Sequence, residues 1–266
     1  MAAGGQLPGG VVRFGAMPPT GPPQSRIVSL VPSLTELVCW LGAGAELAGR
    51  TRFCTEPAEL VRGVPIVGGT KNPHLDRIAA LRPTLVLANK EENRKEDVLA
   101  LREAGLDVLV TDPNSVSEAV AMVRELGQRL DRQAKAESLA TETEGAAREG
   151  PAGRRPRVFV AVWKEPFMGL ARDTYGHDLI ELAGAENVLR GRPRYPEITR
   201  EELAALAPGL ILLPDEPYPF TAADADSLAA IAPARVIDGK LLWWYGPRMP
   251  AAIRELRRLF ATAAGR

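Results

Sequence analysis

The chain has 266 residues, of which 33 are lysine or arginine and 33 are aspartate or glutamate. This length can bury a core large enough for two domains, and the balanced charge excludes the net basic field that nucleic acids and anionic membrane surfaces attract. No apolar run reaches the roughly 18 residues that a transmembrane helix needs, so we expect a protein that is not embedded in a membrane and does not bind nucleic acid.

The first 25 residues are rich in glycine and proline and lack the apolar segment of a secretory signal. We predict a disordered leader over residues 1–25 and a cytoplasmic location for the protein as its sequence is written. A misassigned start codon, which would hide a signal sequence, is the alternative. In that case the protein would be periplasmic or attached to the cell surface.

Short β-rich runs followed by helical patterns recur after the leader, which is typical of βα units around a parallel sheet. The predicted strands cover residues 26–31, 85–89, 107–111, 157–163, 210–213 and 235–237. After the first strand, Ser33 and Glu36 have the spacing of a capping box, and the apolar stripe of the next helix ends at Gly42. Cys39 lies in that stripe, so we expect a buried free thiol there rather than a disulfide with Cys54.

Two stretches of the chain, residues 76–91 and 201–216, match at an offset of 125 positions. Each opens with an acidic residue, carries an Ala-Ala-Leu helix face and continues through a proline into a buried strand. A second match pairs residues 41–46 with residues 182–186. This repeat predicts two similar α/β lobes, because its spacing is too long for a solenoid unit. The alternative is the generic likeness of any two βα units.

A helical pattern joins the two halves. Ser115 and Glu118 have the spacing of a second capping box, and the pattern continues without proline up to Gly145 or Gly150. We therefore predict one continuous helix from about Ser115 to Glu144 within a connecting segment at 114–150, and its some 30 residues would span about 45 Å at about 1.5 Å per residue. The predicted domains are the leader at 1–25, an N-terminal lobe at 26–113, this connecting helix, and a C-terminal lobe at 151–266.

Open parallel sheets bind ligands beyond the carboxyl ends of their strands. The segments that follow three predicted elements carry large or charged side chains, namely Lys90, Glu91, Glu92 and Asn93; Trp163, Lys164, Glu165 and Phe167; and Trp243, Trp244 and Arg248. Aromatic rings with a few charged groups are typical of a pocket for a bulky ligand. The alternative is a structural role, as a solvated helix start for residues 90–93 and as core packing for the aromatic residues.

Signals for catalysis are few. The two histidines, His74 and His177, have no metal-binding spacing, and the sequence contains no Gly-x-Ser-x-Gly motif, phosphate-binding loop or dinucleotide fingerprint. We therefore expect a non-catalytic protein that needs no cofactor, and we identify no metal-binding residues from the sequence.

The order of these motifs resembles the ABC-transporter substrate-binding proteins of the helical-backbone type. The resemblance covers about residues 26–260, and its segments are residues 26–36, 41–44, 75–86, 182–188 and 195–203. It implies two Rossmann-like lobes with parallel sheets, one long rigid connecting helix and a ligand cleft between the lobes. It also implies binding of cobalamin or a related metal chelate, such as haem or a ferric siderophore, for import through an ABC permease.

Individual positions follow from the same resemblance. Phe53, Phe167 and Tyr195 correspond to aromatic residues that contact the corrin ring in cobalamin-binding members, and Arg248 corresponds to an arginine that faces the ligand. Thr70 and Asn89 stand where those members have two cleft tryptophans.

The resemblance also implies a partner. Asp76 and Glu201 correspond to acidic residues, one on each lobe, that meet arginines of a two-subunit permease. Helix stabilisation by a carboxylate in the first turn is the alternative for each residue. We expect the protein itself to be a monomer.

A second hypothesis keeps the fold and changes the function. A cytoplasmic enzyme or chelate-handling protein could use Lys90, Glu91, Glu92, Lys164 and Glu165 as a polar cleft, because carboxylates near lysines can acquire shifted pKa values. The fold alone does not decide between the two hypotheses.

Overall fold

In a computed structural model of the chain, the structure is described for residues 25–150 and 153–264. The predicted leader lies outside the described residues, apart from Ser25. Within the described part, no helix combines the length and the apolar character that crossing a bilayer requires. We retain residues 26–113 and 151–266 as the proposed bounds of the two lobes.

The N-terminal lobe contains a four-stranded parallel sheet with the strand order β2-β1-β3-β4. Its strands are β1 (Ile27–Ser29), β2 (Leu47–Arg50), β3 (Leu85–Asn89) and β4 (Val108–Thr111). Its helices are α1 (Pro32–Trp40), α2 (Ala58–Val61), α3 (Leu75–Ala80) and α4 (Lys95–Glu103). All residues of β3 are buried, as expected for a central strand with helices on both faces of its sheet.

Two helices, α5 (Val116–Arg129) and α6 (Gln133–Arg148), follow this sheet where we predicted one. The prediction of a single rod is wrong because Asp131 adopts a left-handed conformation with φ of 52°, and the amide of Arg132 donates to the Gly127 carbonyl at 2.7 Å. These are features of a Schellman helix end. The two helices double back and pack closely, since a Cβ on Gly127 would lie 2.3 Å from the Cβ of Ala136.

Helix α6 is the element that spans the two lobes, over about 24 Å for its 16 residues. Just before its first turn, Arg132 pairs with Glu46 of the N-terminal lobe at 2.8 Å. Just after its last turn, Glu149 pairs with Arg254 at 3.2 Å and with Arg257 at 3.0 Å in the C-terminal lobe. The connection is therefore a helical hairpin whose second arm bridges the lobes.

The C-terminal lobe repeats the topology of the first. Its strands are β5 (Arg157–Trp163), β6 (Met168–Gly169), β7 (Glu186–Asn187), β8 (Leu210–Pro214) and β9 (Ala234–Ile237). Strands β7, β5, β8 and β9 pair in parallel, in the same relative order as the N-terminal sheet, and β6 adds an antiparallel edge. Its helices are α7 (Tyr175–Leu182), α8 (Arg200–Ala205), α9 (Ala222–Leu228), α10 (Lys240–Trp243) and α11 (Met249–Ala264).

The repeat extends to backbone detail. Helices α3 and α8, and strands β3 and β8 after them, begin 125 positions apart. In both lobes the residue before the intervening proline, Arg82 or Ala207, has φ of 46°. A positive φ is uncommon outside glycine, so its occurrence at matching positions supports a duplicated unit rather than a generic likeness of βα units. The two-lobed α/β fold with parallel sheets is thus confirmed.

One apolar cluster runs through both lobes and the hairpin. Its buried members include Leu37 of α1, Leu126 of α5, Leu139 of α6, Leu179 of α7 and Ile253 of α11. Separating the lobes at this cluster would expose its apolar surface to water, at a free-energy cost of about 25 cal/mol for each Å² exposed. The shared cluster therefore restricts how far the lobes can separate.

The start of α1 differs from the prediction. The N-cap is Val31 and Pro32 occupies the first turn, where its fixed φ and missing N–H are favourable, so the predicted capping box of Ser33 and Glu36 is wrong. Glu36 instead forms an ion pair with Arg248 of the other lobe.

Other local predictions are confirmed. Strands β3 and β5 have the predicted bounds, and Ser115 caps α5 by accepting the Glu118 amide at 3.1 Å. Cys39 and Cys54 are both buried and free.

Candidate functional site

Segments from both lobes meet between the two sheets, and we call this region the cleft. Its N-terminal side is residues 89–93 after β3, and its C-terminal side comprises residues 194–195, 215–216 and 243–248. Asn89 donates to the Tyr245 hydroxyl at 2.6 Å across this boundary. The cleft therefore lies where parallel sheets present the carboxyl ends of their strands.

Asn89 and Asn93 shape the N-terminal side. The Asn89 side chain accepts the amides of Glu91 and Glu92 at 2.9 Å and 3.2 Å, and the Asn93 side chain accepts the amide of Asn89 at 2.8 Å. These bonds form a tight turn that directs residues 91 and 92 toward the opposite lobe. The residues were predicted as a polar segment, but the role of Asn89 as its organiser was missed. A buried amide at a strand end is the signal that could have revealed it.

Glu91 joins the lobes. Its carboxylate forms an ion pair with Arg194 and accepts the Tyr195 hydroxyl at 2.9 Å. Burial, and then the Glu91 charge, raise the pKa of Tyr195 far above its usual value, so this hydroxyl stays protonated and acts as a donor. Arg194 also reaches the Asn114 side chain at 3.1 Å. We call Glu91, Arg194 and Tyr195 the latch.

Glu92 and Glu216 face the cleft from opposite lobes. Burial, followed by the charge of Glu216, raises the pKa of Glu92 to about 7, and Lys71 opposes this rise. Burial also raises the pKa of Glu216, against the effect of the Trp244 indole N–H, which donates to its carboxylate at 2.7 Å. Both carboxyl groups are therefore less acidic than exposed glutamates.

The aromatic segment near the C-terminus packs as a wall of the cleft. Trp243 donates its indole N–H to the Glu216 carbonyl at 2.6 Å, and only 7% of Trp244 is exposed. The Arg248 guanidinium lies 5.1 Å from the Trp244 ring centre and binds both Glu36 oxygens, at 2.6 and 2.8 Å. The segment thus combines ring surface with a second ionic link between the lobes.

Several predicted site residues have other contacts. Lys164 pairs with Asp224 at the start of α9 at 2.7 Å, and Phe167 packs on the core residue Phe159 with ring centres 5.6 Å apart. Lys90 pairs with Asp112 on its own lobe.

The remaining predicted aromatic and acidic groups of these segments are more open. Phe53 is 53% exposed, with the Arg52 guanidinium 5.3 Å from its ring centre. Glu165 is exposed, and Trp163 stacks edge-on against Tyr218 with ring centres 5.3 Å apart. None of these contacts crosses between the lobes.

Asp76 and Glu201 occupy equivalent exposed positions in the first turns of α3 and α8. Each helix precedes a parallel strand and runs antiparallel to it, so its first turn lies toward the carboxyl ends of the strands. Hydrogen bonds from its own backbone amide and from Thr199 lower the pKa of Glu201. Both carboxylates are therefore exposed at the cleft side of their lobes.

Two depressions of the surface lie away from the cleft. One is lined by Ser25, Ile27, Thr84, Leu85, Asp107, Arg129 and Leu130. The other surrounds the turn of the helical hairpin and is lined by Leu41, Gly42 and residues 131–135. Neither contains residues from the C-terminal sheet, so neither can hold a ligand between the lobes.

Comparison with known proteins identifies relatives. The family model described as "Periplasmic binding protein" matches residues 27–232. The vitamin B12-binding protein of Pectobacterium carotovorum subsp. carotovorum (strain PC1) is 27% identical over 199 residues, which cover 72% of each chain. An uncharacterized ABC transporter substrate-binding lipoprotein, YvrC of Bacillus subtilis (strain 168), is 26% identical over 247 residues, covering 87% of this chain and 78% of the relative.

A solved structure shares the fold. A periplasmic heme-binding protein from Pseudomonas aeruginosa has a TM-score of 0.72 and 25% identity, with 89% of this chain and 92% of that chain covered.

These comparisons correct the predicted location. The matching family is periplasmic and the Bacillus subtilis relative is a lipoprotein, so the prediction of a cytoplasmic protein is wrong. The comparisons point to a periplasmic or surface location instead. The relatives named above are binding proteins, and the hypothesis of a cytoplasmic enzyme finds no support among them.

Proposed function

Since the chain belongs to the periplasmic binding protein family, we propose that it binds a tetrapyrrole-type metal chelate in the cleft and delivers it to an ABC permease. Cobalamin is the first candidate and haem the second, because relatives are named for each. The observation that carries the proposal is the meeting of Glu91 and Glu92 from one lobe with Tyr195 and Trp244 from the other. A site built equally from two duplicated lobes is suited to a ligand held between them.

We propose binding without catalysis, and the use of the charged groups supports this. Arg194 is paired with Glu91, and Arg248 with Glu36, so these groups hold the lobes together. The chelate is cargo in this proposal, and the protein requires no cofactor of its own.

Access to the cleft requires the latch to open. Tyr195 and Trp244 are largely covered by neighbouring residues of the same chain, and a bulky ring system would have to displace these contacts. We propose that both rings pack against the ligand after it enters, as aromatic surfaces commonly do in ligand pockets.

Asp76 and Glu201 supply the proposed contact with the permease. A charge-assisted pair on each lobe would dock both lobes at once and gain from their linkage. The protein acts as a monomer in this arrangement, because each monomer already carries both acidic positions.

Titration with cyanocobalamin and with haemin tests the proposal. Both compounds absorb in the near ultraviolet, so binding beside Trp243 and Trp244 should quench tryptophan fluorescence in a saturable way. Trp40 is a matched control, since it lies at the far end of α1 and Trp40→Phe should leave binding unchanged. The absence of saturation by either compound below about 1 mM would overturn the proposal.

A further inference from the structure

The cleft has an imbalance of charge at its centre. The cations of the latch and of the aromatic wall have carboxylate partners, as in Arg194 with Glu91, Arg248 with Glu36 and Lys240 with Glu56. Glu92 and Glu216 form no ion pair within the described residues 25–150 and 153–264. Lys71 acts on Glu92 electrostatically, but its ammonium group donates to the Glu91 carbonyl at 2.6 Å.

The fold fixes the backbone of Glu92 and the carboxylate of Glu216. The turn organised by Asn89 fixes the backbone of Glu92 through a bond of 3.2 Å. Trp244 donates to the Glu216 carboxylate at 2.7 Å, and Trp243 donates to the Glu216 carbonyl at 2.6 Å. Two acceptors from opposite lobes are therefore presented near each other, one on a fixed backbone turn and one bonded through its carboxylate, as a recognition site requires.

A buried hydroxyl near the cleft also lacks a hydrogen-bond partner. The Ser33 hydroxyl at the first turn of α1 is 2% exposed and has no hydrogen-bond partner among the described residues. It lies close enough to Tyr245 to influence that hydroxyl, and Tyr245 accepts the Asn89 amide in the cleft. A buried polar group without a partner is unfavourable, and a ligand group that can both donate and accept would satisfy it.

From these contacts we propose that Glu92 and Glu216 select ligands that present N–H donors and reject ligands that present carboxylates. This inference rests on the proposed function and names its substrate class, which is the amide-bearing corrinoids rather than the dicarboxylate porphyrins. The peripheral carboxamides of a corrinoid donate to carboxylates and can also accept from Ser33. The two propionates of haem would instead add negative charge beside two carboxyl groups that have no ion-pair partner among the described residues.

The raised pKa values agree with this assignment. Burial disfavours the ionised forms of both glutamates, and the charge of Glu216 adds to this effect at Glu92, so donors from a ligand would stabilise the ionised forms and further carboxylates would not. The imbalance persists near neutral pH, because Glu92 with a pKa of about 7 is then about half ionised.

The test compares cyanocobalamin and haemin on the intact chain and on the double variant Glu92→Gln, Glu216→Gln. Glutamine has nearly the same shape, and its carbonyl oxygen can still accept the Trp244 indole. We expect the unmodified protein to bind cyanocobalamin at least about tenfold more tightly than haemin, a difference of about 1.4 kcal/mol. The double variant should gain about tenfold in haemin affinity and lose affinity for cyanocobalamin. Glu103→Gln, at an exposed carboxylate at the end of α4, should match the unmodified protein.

The outcomes separate the two proposals. Saturable binding with haemin preferred, or a double variant with unchanged preference, would overturn the selection by Glu92 and Glu216 and leave the proposed function standing. Failure of both compounds to bind the unmodified protein would overturn the proposed function and this inference with it. If the double variant loses its native circular dichroism, the single variant Glu92→Gln gives the same comparison, with an expected gain in haemin affinity of about threefold or more.

Discussion

Tyr195 of the C-terminal lobe donates its hydroxyl to Glu91 of the N-terminal lobe, with 2.9 Å between Oη and Oε2. The neighbouring Arg194 pairs with the same carboxylate, so one side chain of the first lobe holds two of the second. Since these contacts cross the cleft, they must break when a bulky ligand enters. The latch therefore links ligand access to the loss of specific bonds between the lobes.

Tyr195→Phe should speed ligand association, because it removes the hydroxyl donor and keeps the ring. The free energy of unfolding should fall by about 1 kcal/mol, the usual value of one hydrogen bond. Stopped-flow fluorescence with cyanocobalamin measures the association rate. Tyr218→Phe is the control, since Tyr218 packs on Trp163 and Phe220 in its own lobe. Equal rates for both variants would contradict a gating role for the latch.

Trp244→Phe should weaken ligand binding by about 2 kcal/mol, as expected for a buried aromatic anchor. The variant keeps a ring between Lys240 and Arg248 but removes the indole N–H that Glu216 accepts. The buried Glu216 carboxylate then loses a donor, so the free energy of unfolding should also fall, by about 1–3 kcal/mol. Calorimetric titration and urea denaturation measure the two effects. Affinity equal to that of the unmodified protein would make Trp244 a packing residue only.

Glu92→Gln should change the pH dependence of stability. The pKa of Glu92 is raised to about 7 in the folded chain, against an ordinary value of about 4.3 in an unfolded one. Between these values the folded state binds more protons, so this group makes the free energy of unfolding decrease as pH rises through that window. The variant should lack this decrease and be more stable near pH 8 by on the order of 1 kcal/mol.

Urea denaturation at several pH values measures this change. The groups that act on Glu92 are Glu216, Lys71 and Glu91, and they are unchanged in the variant. Glu103→Gln, on the exposed end of α4, is the control and should keep the original slope. Parallel curves for Glu92→Gln and the unmodified protein would show that Glu92 titrates normally.

Asp131→Gly tests the helical hairpin through the sign of its effect. Asp131 has φ of 52°, which glycine adopts without strain, so the variant should be more stable by about 0.5–1 kcal/mol. In a continuous helix the same change would instead destabilise by about 1 kcal/mol. Ala121→Gly, at an exposed position within α5, is the control for a glycine inside a continuous helix and should destabilise by about 1 kcal/mol. Thermal denaturation of both variants distinguishes the two structures.

The double variant Asp76→Arg, Glu201→Arg should fold and bind ligand but no longer support permease-dependent uptake. Both side chains are exposed in first turns of short helices, so reversal of their charge should cost little stability. Uptake of labelled cobalamin by cells that carry the variant measures the effect, with Asp76→Asn, Glu201→Gln as a milder comparison. Normal uptake with the arginine variant would exclude a docking role for these carboxylates.

The local pattern of the sequence was sufficient to predict the repeated helix–proline–strand units. Strand β3 and its counterpart β8 were found because an apolar run follows a helix and a proline in both halves. The 125-position match predicted two lobes of one topology, since hydrophobic periodicity and turn residues act over short distances. Segment 89–93, Tyr195 and Trp244 were also predicted as cleft residues and do come together between the lobes. Aromatic and charged character was enough to predict segment 89–93 and Trp244, whereas Tyr195 was predicted from the family resemblance.

Tertiary contacts determined where the connecting helix breaks and which partners the predicted site residues have. Residues 130–132 contain neither proline nor glycine, so the helix break depends on Asp131 adopting a left-handed conformation and on Gly127 admitting Ala136. Lys164 and Phe167 have the chemistry of ligand contacts, but each has a partner in its own lobe. Lys164 pairs with Asp224, which is distant in the sequence, and Phe167 packs on Phe159, a buried residue of β5. Pairing between distant residues depends on which lobe surfaces meet, and no local pattern encodes that choice.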